Sequence, residues 1–137
     1  MPCRIGPHVK NEIKVEDPVS GSVLTFYYRI PNSEERRAYM SAIWEREKDT
    51  IRSRLTEARF EFGLKILEGF GVGDFEKEVA QGQFSSISSD PKDPLFDPGW
   101  KDLIAKERPD LIEALAAHIF EGVRVRGAQT EIFDEKN

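Results

Sequence analysis

Gly69-Phe-Gly-Val-Gly73 has the glycine density of a loop that wraps a phosphate. Such a loop follows a strand and opens a helix, so that free backbone amides face the anion. Here the glycines follow a helical pattern at a different spacing, which predicts a helix C-terminal cap with glycine at positive φ. Asp90, Asp93 and Asp97 are the right residue type for calcium, but a calcium loop also needs a glycine at its sixth position and a glutamate at its twelfth. Each of these aspartates precedes a proline, as Asp17 does, which predicts turns. Glu57 and Glu61 lie one helical turn apart, the spacing of an acid and a base. That work needs burial to drive the two pKa values apart, and Arg54, Arg59 and Lys65 nearby predict solvated side chains. Ser85, Ser86, Ser88 and Ser89 lack a Gly-x-Ser-x-Gly elbow. No catalytic set, cofactor site or metal site is expected, and the chain reads as a non-enzyme.

Cysteine and histidine usage points the same way. Cys3 is the only cysteine, which excludes an internal disulfide and a cysteine-based zinc framework. His8 and His118 are far apart, and His118 has the spacing of a core-edge residue on the last helix. The 137 residues, 39% apolar and 33% charged, suit a single soluble domain with a modest core. No run reaches the roughly 18 apolar residues of a membrane span. Met1 to His8 has no apolar core of the signal-peptide kind. The expected location is therefore the cytoplasm, with no membrane partner. Net charge is +1 over residues 1–70 and −6 over residues 71–137. That acidic half, and arginines scattered around the central helix among acids, argue against nucleic acid.

The elements that would position a site come next. Val9–Val15 and Val23–Ile30, separated by Asp17-Pro-Val-Ser-Gly21, read as a β-hairpin over residues 1–30. Asn32-Ser-Glu-Glu35 has capping-box form. Behind it, Tyr39, Met40, Ile43, Trp44, Ile51, Leu55, Ala58, Phe62, Ile66 and Leu67 recur at steps of three, four or seven, which predicts one long helix over 32–69. Glu47 interrupts that stripe, so a bend or a division near residues 47–50 stays open. Residues 71–99 read as loop, with a helical turn or two from Asp74 to Gln81. Helices follow over 100–122, the second opening at Pro109 and ending before Gly122. Residues 123–137 read as a tail with a small hairpin around Gly127.

The chain resembles the small tail assembly chaperones of long-tailed bacteriophages, which accompany the tape-measure protein. The resemblance lies in Tyr28-Arg-Ile-Pro-Asn-Ser-Glu-Glu35 entering a helix with Tyr39 and Trp44, in Leu64-Lys-Ile-Leu-Glu-Gly-Phe-Gly-Val-Gly-Asp74, and in Pro109-Asp-Leu-Ile-Glu-Ala-Leu-Ala-Ala-His-Ile-Phe-Glu121. It is one of order and spacing over about residues 28–121. Phe70 stands where a tryptophan is common, and the segment from Gln81 to Gly99 is longer and richer in proline. The resemblance implies a phage or prophage protein that oligomerises, possesses no catalytic residue and shields an elongated client.

The expected fold is therefore α+β, mainly α: an N-terminal β-hairpin, one long central helix and shorter C-terminal helices in a single domain of residues 1–137. The expected function is protein binding during assembly. Trp44, Ile51, Leu55, Phe62, Phe70, Val72 and Phe75 are the candidate binding residues, and other proteins, copies of itself included, are the partners. The alternatives are a structural or adaptor subunit of a virion or cellular complex and, third, a small ligand-binding module or enzyme.

Overall fold

In the computed structural model, which describes residues 2–6 and 8–123, Asp17 builds the first turn. Its carboxylate accepts from the Val19 amide (3.1 Å) and the Ser20 hydroxyl (2.7 Å). The flanking strands β1 (Asn11–Glu16) and β2 (Val23–Tyr28) pair antiparallel, Ile13 opposite Phe26. β1 alternates half-buried Asn11, Ile13 and Val15 with exposed Glu12, Lys14 and Glu16, so one face turns to the core.

The stretch 32–69 is not one helix, and the expectation of a mainly α protein with a long central helix is corrected. α1 (Ser33–Ala42) opens on the capping box. The Glu35 amide donates to Asn32 Oδ1 (2.8 Å) and the Asn32 amide to Glu35 Oε1 (3.1 Å). The chain then reverses through β3 (Trp44–Glu47) and β4 (Thr50–Ser53), turning at Lys48-Asp49. α2 (Leu55–Ile66) follows and runs directly into β5 (Leu67–Phe70). The helical stripe misled for a geometric reason. The Trp44–Ile51 step of seven is two helical turns, but it is also a diagonal across a hairpin with a two-residue turn, because Trp44 faces Ser53 and Arg46 faces Ile51. The turn lacks the Asn-Gly or Asp-Gly that normally marks such a hairpin. Lys48 adopts φ +54° there, a conformation that non-glycine residues seldom take.

Residues 71–99 are likewise more than loop. β6 (Glu76–Ala80) and β7 (Gln83–Ser86) form a third hairpin, where a helical turn was expected. The glutamates and lysine of β6 suit either state, and pairing with β7 decides between them. The Asp-Pro sites then act as turns: Oδ1 of Asp90, Asp93 and Asp97 accepts from the amides of Lys92 (2.9 Å), Leu95 (2.8 Å) and Gly99 (2.8 Å). α3 (Trp100–Glu107) and α4 (Pro109–Glu121) complete the fold, with Pro109 in the first turn of α4. The small hairpin and tail expected beyond Val123 lie outside the described residues.

Among the described residues, four helices and seven strands make an α+β fold of 36% helix and 29% strand. The largest sheet has the order β1-β2-β5, and the β3–β4 and β6–β7 hairpins stand apart from it. Its buried residues (Leu24, Phe26, Leu67, Phe70) cluster with Ile66 of α2, with Trp100 and Ile104 of α3 and with Leu111, Ile112 and Leu115 of α4. A smaller cluster of Tyr39, Ala58 and Phe62 joins α1 to α2 and, through Phe120, to α4. Gly63 lets α2 and α4 approach closely, since a Cβ there would lie 2.5 Å from the Ile112 carbonyl oxygen. Gly69-Phe-Gly-Val-Gly73 is the end of β5 and the turn after it, which corrects the helix-cap reading. Gly73 takes φ +80°, while a Cβ on Gly69 would meet Ser89 Oγ at 2.8 Å.

Candidate functional site

The strongly held charges come first, because perturbed ionisation often marks chemistry. Asp17, 5% exposed, is ion-paired with Arg108 (2.8 Å), which also grips Asp110 (3.0 Å). These hydrogen bonds hold the Asp17 carboxyl well below the usual carboxylate range. Arg29 clasps both oxygens of Glu35 at 2.6 Å and lowers its pKa to about 2. Arg59 likewise clasps both oxygens of Glu121 (2.8 and 2.6 Å) and lowers the pKa of that carboxyl, which also accepts from the Tyr39 hydroxyl. Burial, with that bond, pushes the Tyr39 phenol up to about 12. Each group ties distant elements together: the first hairpin to α3 and α4, the end of β2 to α1, and α1 and α2 to the end of α4. These are fastenings of the fold, with the carboxylates already satisfied by arginine. Local sequence has no signal for the first and third, whose partners lie 91 and 62 positions apart, whereas Arg29 and Glu35 are only 6 apart.

Glu57 is exposed and pairs with Arg54 (3.4 Å), Glu61 is exposed and faces Lys65 (4.0 Å), and His118 lies on the exposed face of α4 rather than at the core edge. Ser89 has a structural role, its hydroxyl accepting from the Phe70 amide (3.0 Å) at the outer edge of β5. Among the described residues no group of three His, Cys, Asp or Glu side chains could hold a metal ion, and no helix is long and apolar enough to cross a membrane.

The seven candidate binding residues divide. Phe62 and Phe70 are buried in the two clusters, and Phe75 and Leu55 are half-buried against them. Phe70 packs edge-on against Trp100 with ring centres 5.6 Å apart. Trp44, Ile51 and Val72 face solvent, at 58%, 71% and 86% exposure.

Trp44 and Ile51 belong to the β3–β4 hairpin, whose eight residues are all exposed except half-buried Glu45. By strand alternation Trp44, Arg46, Ile51 and Ser53 share one face. Ion pairs from Glu45 to Arg52 (2.8 Å) and Arg54 (3.4 Å) brace the hairpin, and the Arg54 amide donates to the Ile43 carbonyl (2.8 Å) at its base. The β6–β7 hairpin is built alike. All of β6 is exposed, and Val79 and Phe84 present apolar side chains to solvent. Its base is closed by the Ile87 amide on the Phe75 carbonyl (3.1 Å) and braced by Lys77 on Asp97 (3.2 Å). Neither Phe84 nor Val79 is among the candidate binding residues read from the sequence. The signal that could have found both is the turn Gln81-Gly82, Gly82 having positive φ, flanked by β-forming residues.

Between β6 and α3 lies a groove of about 410 Å³ with a floor of Phe75, Ile87, Leu103 and Ile104 and charged walls of Glu78, Glu107 and Arg108. An apolar side chain fits such a floor. What the arrangement offers chemically is adhesion: two exposed hairpins that carry large apolar side chains, the second of them beside an apolar groove. Comparison with known protein families, with curated proteins and with solved structures finds no match to this chain.

Proposed function

We propose that this chain is a non-enzymatic protein-binding protein of assembly, and that its β3–β4 and β6–β7 hairpins are the arms that hold a protein client. The observation that carries the reading is the exposure of Trp44, Ile51, Val79 and Phe84 on hairpins that, among the described residues, pair with no other strand. A two-stranded hairpin is marginal alone, and large apolar side chains on one are ordinarily covered by a partner. Trp44 is the residue type most often found as an energetic anchor at protein interfaces. The dominant charges are engaged in fastening the fold, which supports a non-catalytic role.

Within that reading, the resemblance to phage tail assembly chaperones names the client class. The partner is the elongated tape-measure protein or another tail protein, met in the host cytoplasm, with no nucleic acid and no membrane involved. Copies of the chain act together on such a client.

The test is co-expression with the tape-measure protein of the phage or prophage that encodes the chain, followed by co-purification. Wild-type chain is expected to retain the client, and the double variants Trp44→Ser/Ile51→Thr and Val79→Thr/Phe84→Ser to lose most of it with unchanged circular dichroism. Retention by both variants would overturn the reading. Presence of the chain in purified, finished particles would replace the chaperone by a structural or adaptor subunit.

A further inference from the structure

Among the described residues, the outer edge of β1 lacks a partner strand in the order β1-β2-β5. Thr25 turns its backbone groups away from β1, accepting from the Gly71 amide (2.9 Å) and donating to Asp74 (2.7 Å). The Asp17 amide turns toward β2, donating to the Ser22 carbonyl (2.8 Å). Strand alternation then directs the backbone groups of Asn11, Ile13 and Val15 to β2 and those of Glu12, Lys14 and Glu16 outward. A bare edge invites strand addition, and proteins usually discourage it with charge. Here the exposed face of the strand, with Lys10 just before it, carries charge of alternating sign: Lys10, Glu12, Lys14, Glu16. Among the described residues none of the four is in an ion pair. Lys14 is bonded only to the neutral Thr25 hydroxyl (2.7 Å).

We infer that the chain pairs with a second copy of itself through β1, antiparallel about a two-fold axis at Ile13. The backbone allows only registers that set outward-bonding residues opposite one another, and charge chooses among them. Centred on Glu12, the pairing opposes Glu12 to Glu12 and Lys10 to Lys14. Centred on Lys14, it opposes Lys14 to Lys14 and Glu12 to Glu16. Centred on Ile13, it sets Lys10 against Glu16 and Glu12 against Lys14, each twice by symmetry. Ile13, half-buried at the margin of the core, meets its own copy, and the two three-stranded sheets run on as one. Centring on Asn11 (Lys10 against Glu12) or on Val15 (Lys14 against Glu16) also opposes unlike charges, but makes two such pairs where centring on Ile13 makes four, so the pattern is most complementary to itself there. The inference rests on the assembly reading for self-association, but it uses a surface separate from the two hairpin arms.

Sedimentation equilibrium of the full chain tests it. Wild type is expected to dimerise, more weakly as salt is added. Lys14→Glu turns both central pairs repulsive and is expected to weaken the dimer about tenfold or more. The double swap Glu12→Lys/Lys14→Glu restores complementarity at the same register and is expected to restore the dimer. Lys14→Pro removes an outward amide, leaves the β1–β2 bonds intact and is expected to abolish pairing with unchanged circular dichroism. A monomeric wild type, Lys14→Glu self-associating as wild type does, or a double swap without recovery would overturn the inference. Client capture by the same variants is read separately, so a failed β1 interface with intact capture leaves the proposed function standing.

Discussion

At Gly63 helix propensity and packing oppose each other. Alanine is the better helix former by about 1 kcal/mol, yet its Cβ would meet the Ile112 carbonyl oxygen at 2.5 Å and Ile112 Cγ2 at 2.9 Å. Backbone is the obstacle, so α2 and α4 must separate. Gly63→Ala is expected to destabilise the fold by about 2 kcal/mol, measured by urea unfolding; an unchanged or raised midpoint would refute the close-contact account. Tyr39 poses the opposite case, a buried ring whose hydroxyl reaches Glu121. Tyr39→Phe leaves Glu121 its Arg59 partner, so the expected loss is only about 1 kcal/mol. A loss of several kcal/mol in the same assay would mean the hydroxyl matters beyond that one bond.

At the scale of elements the β3–β4 hairpin is the informative one. Its turn forces Lys48 to φ +54°, where a side chain costs about 1 kcal/mol relative to glycine. Lys48→Gly is therefore expected to raise the melting temperature by a few degrees, and a fall would show that the turn has another conformation. The arms separate binding from stability. Trp44→Ser/Ile51→Thr removes side chains that solvent already surrounds, so thermal stability is expected to change little while client retention drops. A large stability loss would mean those side chains pack on the protein itself. The hairpins also explain why periodicity alone misread residues 44–53 and 76–86. Short strands dense in charge satisfy helical and alternating templates alike, and only pairing with the neighbouring strand chooses.

For the whole molecule, acid is the revealing condition. Glu35 falls from an ordinary pKa of 4.5 to about 2 because Arg29 bonds its carboxylate, and Asp17 and Glu121 are lowered through Arg108 and Arg59. A depressed carboxyl contributes its full stabilisation above the unfolded pKa and loses it as pH falls through the folded one. The melting temperature is therefore expected to hold from pH 7 to about 5 and fall steadily toward pH 2. Glu35→Gln is expected to lower it at neutral pH, the gap to wild type closing near pH 2. A gap independent of pH would show that the pair does not carry the effect. All three pairs join separate elements of the fold, so their loss loosens the body that supports both arms.

Much of the local chemistry was determined by the sequence alone. The Asn32–Glu35 capping box, the four Asp-Pro turns, Pro109 in the first turn of α4 and the strand-forming run from Val23 are each specified within about four residues, where a side chain bonds its own backbone or restricts a dihedral. The tertiary structure decided whatever depends on a partner far along the chain. Phe62 and Phe70, alike in sequence to exposed Phe84, are interior because α4 and α3 cover them. Trp44 and Ile51 face water because β3 and β4, among the described residues, pair only with each other. The long helix failed for the same reason: strand pairing yields hydrogen bonds that no single stretch of sequence displays, and burial is a property of which surfaces meet.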